Sequence, residues 1–134
     1  MAGKGYAHCR LTFDDGLLIE SILLAHTPQQ QSVGLSGREA INQGMLFVWS
    51  ESDIRRFWMQ HTHQPLTIYF FDASAIITQT LSMPANSDTI YASTLASRYA
   101  LELPESIAES GVLALGHRLV SVVCTDLDYI DFVN

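Results

Sequence analysis

The sequence predicts a mostly β fold, a single compact barrel- or sandwich-like domain over residues 1–134 with two short helices. Three observations carry that expectation. Short apolar runs, alternating or rich in β-branched residues, recur along the chain with turn chemistry between them. Only two segments carry helix-end signals. The 134 residues suit one domain, and 48% of them are hydrophobic, enough to build a core and to exclude a disordered chain. No linker, repeat or low-complexity segment divides the chain, and Pro28, Pro65, Pro84 and Pro104 are spread along it.

Tyr6–Phe13 mixes apolar and polar positions and runs into Asp14-Asp15-Gly16. Asp-Gly before a second such run, Leu17–Ala25, predicts an opening hairpin. Thr27 as N-cap, Pro28 at the first helical position and Gly34 as stop predict a helix of about two turns. Gly44–Val48, Arg56–His61 and Pro65–Phe71 read as three successive strands. Alternation sets Phe57 and Met59 on one face of the second and Trp58 and Gln60 on the other. The third is bulky on both faces and is expected to be central. Asp72-Ala73-Ser74 is a turn, Ala75–Leu81 a strand and Ala85–Asp88 a polar loop. Tyr99–Leu103 alternates cleanly. Pro104–Ser110 reads as a second short helix that Gly111 stops. Arg118–Cys124 is a valine-rich strand, and the tail Thr125–Asn134 is expected to add an edge strand whose charges discourage pairing between sheets. Eight or nine short strands result.

Seven Lys and Arg against fourteen Asp and Glu give a formal charge of −7. So acidic a chain has no electrostatic footprint for the phosphate backbone, which excludes nucleic acid as an expected partner. No apolar run approaches the ~20 residues a membrane helix needs, so no membrane is expected either. Met-Ala-Gly-Lys-Gly-Tyr lacks the apolar stretch of a signal peptide, and a cytoplasmic protein is expected. Cys9 and Cys124 stand near opposite ends with no CxxC pattern. In a reducing cytosol they read as two small, unlinked, buried residues in terminal strands.

The polar groups able to carry chemistry are Arg38, His61, His63, Arg98, Tyr99, Glu102 and His117. His61-Thr62-His63 would place two imidazoles on one strand face. A bare H-x-H fixes two ligands where a zinc pattern fixes three or four, so no metal is assigned. Gly34-Leu35-Ser36-Gly37-Arg38 lacks both the order of a phosphate-binding P-loop and that of a GxSxG nucleophile elbow, and reads as a helix cap and turn. In Arg98–Leu103, alternation sets Arg98, Ala100 and Glu102 on one face and Tyr99, Leu101 and Leu103 on the other. The charged pair is either a surface ion pair or the lining of a pocket, and spacing alone leaves both open. Trp49, Phe57, Trp58, Tyr69, Phe70 and Phe71 are mostly core by type, with Trp58 a candidate pocket wall. No cofactor motif is present.

Five ordered segments resemble the DUF192 family of small, mostly β, uncharacterised proteins. They are Gly34–Arg38, Gly44-Met45-Leu46-Phe47-Val48, Phe57-Trp58-Met59-Gln60-His61-Thr62, Pro65-Leu66-Thr67-Ile68 and Arg98–Leu103. The resemblance covers about Ala25 to Val120. It implies that Arg38, Trp58, Met59, Thr62, Arg98 and Glu102 match family positions. Three positions depart from the pattern. The asparagine of the family's FWMKNT block is His61, the aspartate of its PLDI block is Thr67, and its closing glycine-aspartate is Gly116-His117. Two carboxylates present in relatives are thus replaced.

These readings favour a binding module whose pocket, lined by Arg38, Trp58, His61, Thr62, Arg98 and Glu102, captures a small polar or anionic molecule. A nucleotide-like metabolite is one such ligand, and some phage-encoded proteins capture signal molecules in this way. A hydrolase using His61 and Glu102 as acid and base is the alternative, and a structural or protein-interaction domain a third. Oligomeric state stays open.

Overall fold

The computed structural model describes residues 5–111, 113–125 and 130–131. The expected mostly β domain with two short helices is what the chain forms. β1 (His8–Phe13) and β2 (Leu18–Ala25) make the opening hairpin. Gly16 sits at φ +91° in its turn, donating to Phe13 O at 2.9 Å, and Phe13 N donates to Leu17 O at 2.9 Å. α1 (Pro28–Val33) begins with a capping box. Gln30 N donates to Thr27 Oγ1 at 3.1 Å, and Thr27 N donates to Gln30 Oε1 at 3.3 Å, so two amides without intrahelical partners are satisfied reciprocally.

β3 (Met45–Asp53) pairs parallel with β2, the helix serving as crossover. β5 (Leu66–Phe71), β6 (Ile77–Met83), β8 (Ser97–Pro104), β9 (Leu119–Cys124) and β10 (Ile130–Asp131) complete an eight-stranded sheet in the order β10-β9-β1-β2-β3-β8-β5-β6. Short α2 (Glu105–Ala108) follows β8 directly. The sheet curls until its far ends touch. Ile76, beside β6, bridges to Arg118, beside β9, and Ile77 N donates to His117 O at 2.9 Å. The result is a half-closed barrel. β10 lies at the edge as expected of the tail, whose residues 126–129 and 132–134 fall outside those described.

Two cores follow from the alternation of the central strands. The inner core fills the concave side with Leu11, Phe13, Leu46, Tyr69, Phe71, Tyr99, Leu101 and Leu103, among others. The neighbouring positions Met45, Phe47, Leu66, Ile68, Phe70 and Ala100 point the other way and build an outer core. β5 is buried at every position, as its bulk on both faces predicts, but it lies next to the last strand of the sheet, between β8 and β6, rather than at its centre.

One expected strand is cut short. Only β4 (Arg56–Phe57) of Arg56–His61 is extended, and it pairs with β7 (Tyr91–Ala92) in a separate two-stranded ribbon. After Phe57 the chain turns, Thr62 N donating to Met59 O at 3.1 Å, with His61 at φ +60°. Phe57 and Met59 still pack on the outer core, while Trp58 stays 53% exposed.

The cysteines require a correction. Cys9 and Cys124 face each other across the β1–β9 ladder and are joined in a disulfide. They are buried in terminal strands as expected, but they are not unlinked. Register decides this: neighbouring antiparallel strands bring the two ends of the chain together. The bond closes a loop with a sequence separation of 115, so opening it frees almost the whole chain. Reduction, or Cys124→Ser with Cys9→Ser, is expected to lower unfolding stability by ~2–5 kcal/mol. Coincident thermal melts of oxidised and reduced protein would contradict this.

Candidate binding pocket

β8 lies between β3 and β5, and alternation sends Glu102 out of the same face as Ala100, into the outer core. Its main-chain partners are Met45 and Ile68. Gly44 permits the close approach at this point, because a Cβ there would collide with the main-chain carbonyl of Glu102. The glycine of the Gly44-Met45-Leu46-Phe47 segment is therefore tied to the carboxylate-bearing strand.

Above Glu102 the outer core is incompletely covered, and a cavity of about 290 Å³ opens there. One wall is the end of α1 and the turn after it, from Gln31 to Ser36. The opposite wall is β4 and the following turn, with Arg56, Phe57, Trp58, Met59 and Thr62. Phe47 and Leu66 supply apolar floor beside Glu102, and Ile90 stands before β7. The mouth carries exposed apolar side chains, Val33, Trp58 and Ile90. Hydrogen bonds fasten the wall segments to each other and to their neighbours. Gly37 N donates to His61 O at 2.7 Å, Asn86 N to Thr62 O at 2.9 Å and Gln31 Nε2 to Val48 O at 2.7 Å.

The rings form a connected set. Phe47 meets Phe57 edge-on at 5.0 Å and stacks on Trp49 at 6.0 Å, and Phe57 reaches Phe70 at 5.9 Å. Against this apolar wall stands the carboxyl of Glu102, 4% exposed. Desolvation by burial raises its pKa to about 8. Among the described residues no hydrogen bond or ion pair reaches that carboxyl. A buried polar group without a partner is uncommon in a folded protein. Here the group faces an open cavity.

The pocket gathers three of the six residues expected to line it: Trp58, Thr62 and Glu102. The other three lie outside its lining. Arg38 rests over the Tyr6 ring at 5.4 Å. Arg98 donates through Nε to Trp49 O at 3.2 Å and lies over Tyr99, and no ion pair joins it to Glu102 among the described residues. His61 is exposed, its carbonyl fixing Gly37. Its left-handed backbone gives position 61 a conformational role, since such a φ suits the asparagine of the family pattern at least as well as histidine. Thr67 shares the inner face of β5 with Tyr69 and Phe71. His117 sits at the closing corner of the sheet, 3.8 Å from Asp15. None of the three departures from the family pattern lines this pocket. Sequence reasoning missed Phe47, Phe57, Met59, Leu66 and Arg56 as lining, and only the ring content of those segments could have signalled them.

The family model DUF192 (Uncharacterized ACR) matches residues 11–121. A structure from Sinorhizobium meliloti 1021, described as a "putative transcription regulator", superposes with a TM-score of 0.74 at 25% identity, over 92% of this chain and 96% of that one. A protein of unknown function from Novosphingobium aromaticivorans superposes with a TM-score of 0.73 at 22% identity, over 84% and 82% of the two chains. A hypothetical protein from Synechocystis gives 0.56 at 15% identity, with 90% of this chain lying on 20% of that longer one. The last two likenesses concern the fold alone. No curated protein matches the chain.

The buried carboxyl makes stability depend on pH with a definite sign. In the unfolded chain it ionises near 4.5, and in the fold it keeps its proton to about 8. Between those values the folded state binds more protons, so stability falls as pH rises and levels off above the upper value. Glu102→Gln removes this penalty. Its stability advantage over the parent is expected to be smallest near about pH 4 and to grow by ~3–5 kcal/mol by about pH 9. Parallel denaturation curves with a pH-independent gap would contradict the assignment.

Proposed function

Since the chain belongs to the DUF192 family, described only as uncharacterised, we propose its function from the pocket: the domain is a binding module for one small molecule, held over Glu102 and against Phe47, Phe57 and Trp58. The observation that supports this reading is the partnerless carboxyl at the foot of a ring-walled cavity. Burying such a group weakens the fold. A ligand that hydrogen-bonds it recovers that loss while covering the exposed side chains at the mouth. The cavity is at the small end of ligand sites, suited to a metabolite rather than a polymer.

An anionic ligand, expected while Arg38 and Arg98 stood as candidate lining, loses support with both guanidinium groups outside the cavity. Hydrolysis through His61 and Glu102 needs the two groups in reach of one substrate, whereas Glu102 lines the cavity and His61 does not. The Sinorhizobium relative's description suggests a sensing part in regulation. DNA contact is not carried over to a chain with a formal charge of −7. Capture that removes a metabolite from circulation, as a phage-encoded protein would use it, is a second use of the same pocket.

No helix among the described residues is long and apolar enough to cross a membrane. A cytoplasmic setting would keep Cys9 and Cys124 as thiols, whereas the disulfide belongs to an oxidising one. The oxidation state of the natively isolated chain separates the two.

Ligand-observed NMR of a metabolite panel, run on the parent protein, Trp58→Ala and Arg98→Ala, tests the binding reading. At least one compound is expected to bind the parent and Arg98→Ala alike and Trp58→Ala ~5-fold or more weakly, as loss of a ring contact implies. No bound compound, or binding indifferent to Trp58, would overturn it.

A further inference from the structure

We propose that the ligand is an organic cation, an amine or amidine carrying an apolar group, whose charged nitrogen pairs with Glu102 and whose apolar part lies against Phe47, Phe57 and Trp58. This rests on the binding reading above and adds the chemical class. Three independent features converge on it. The carboxyl has no hydrogen bond or cation of its own among the described residues, so its acceptor capacity faces the cavity unspent. Three ring-bearing residues, Phe47, Phe57 and Trp58, line the same space, and aromatic rings offer a cation a favourable contact that they do not offer an anion. The chain's formal charge of −7 raises the local concentration of cations around it.

The only other ionisable side chain lining the cavity, among the described residues, is Arg56. It is exposed at the wall, where solvent and salt screen it, and it leaves room for a ligand that also carries a carboxylate. The remaining lining is uncharged, and no charge from β3 or β5 acts on Glu102, burial being the sole cause of its displaced titration.

Proton balance makes the inference testable. Because the empty carboxyl holds its proton to about 8, a cation that binds near neutrality displaces that proton to solvent. Its affinity must then rise with pH, by ~tenfold per unit well below the carboxyl's pKa. A neutral amide or a carboxylate that accepts the proton of the acid form must instead bind more weakly as pH rises.

The probes are 2-phenylethylamine, 3-phenylpropionamide and 3-phenylpropionate, matched in ring and length, titrated calorimetrically at about pH 6 and about pH 7. The amine is expected to bind, ~tenfold more tightly at the higher pH, with proton release seen as a buffer-dependent heat. Binding should disappear in Glu102→Gln. Trp58→Ala alters a half-exposed side chain and should keep its fold by thermal melt while weakening the amine several-fold. Tighter binding of the amide or the carboxylate, or an affinity that falls with pH, would overturn the cation class and leave the pocket reading standing. If none of the three binds, the cation class falls, and the metabolite panel decides separately whether the pocket binds at all.

Discussion

A carboxyl in the middle of an apolar sheet face is the constraint around which this molecule is arranged. Glu102 sits on a strand paired on both sides, which fixes its main chain and directs its side chain into the outer core. Its burial disfavours the charged form, and desolvation alone sets its titration. A residue serving only the fold would be replaced to advantage by a leucine or glutamine. Under the proposed binding role, its position at the foot of a cavity gives that cost a use: a complementary ligand would restore the stability lost by burying the acid.

The fold keeps the carboxyl in place by two separate means. The half-closed barrel packs an inner core that shares no residue with the cavity lining. On the other face, loops rather than strands cover the outer core. They are fastened by main-chain bonds, such as Gly37 to His61 and Asn86 to Thr62, and by Gln64, whose amide donates to Ile41 O at 3.0 Å. This division, a packed sheet below and stitched loops above, resembles the usual distribution of scaffold and site. It explains why the exposed hydrophobic residues Val33, Trp58 and Ile90 gather at the cavity mouth.

Much of the fold was legible because local chemistry and global structure agree. Asp14-Asp15-Gly16 makes its turn, Thr27-Pro28 its cap, and β8 alternates as Arg98–Leu103 reads, with Glu102 and Ala100 opposite Tyr99, Leu101 and Leu103. The strand expected over Arg56–His61 was illegible as a turn because the alternation of Phe57, Trp58 and Met59 survives it, and nothing local announces a left-handed histidine. The disulfide was hidden by a different cause. Compartment arguments bear on whether thiols oxidise, whereas the meeting of Cys9 and Cys124 is a matter of register across the whole chain. Of the six residues expected to line a pocket, Trp58, Thr62 and Glu102 line this cavity. Arg38 and Arg98 were drawn in by charge, yet long side chains from strand ends and turns settle on nearby rings and carbonyls. The replaced family carboxylates, at Thr67 and His117, lie on the inner face and at the closing corner, away from the cavity lining.

The most direct measurement is the titration of the Glu102 side chain itself, followed by the carboxyl 13C shift of glutamate-labelled protein and assigned with Glu102→Gln. The account predicts a resonance that stays in the acid form through neutrality and titrates at about 8, moving to lower pH when a bound cation pairs with it. A Glu102 resonance that titrates near the ordinary 4.5 would show a solvated or paired carboxyl, and the constraint on which the pocket, its ligand class and its pH dependence rest would be gone.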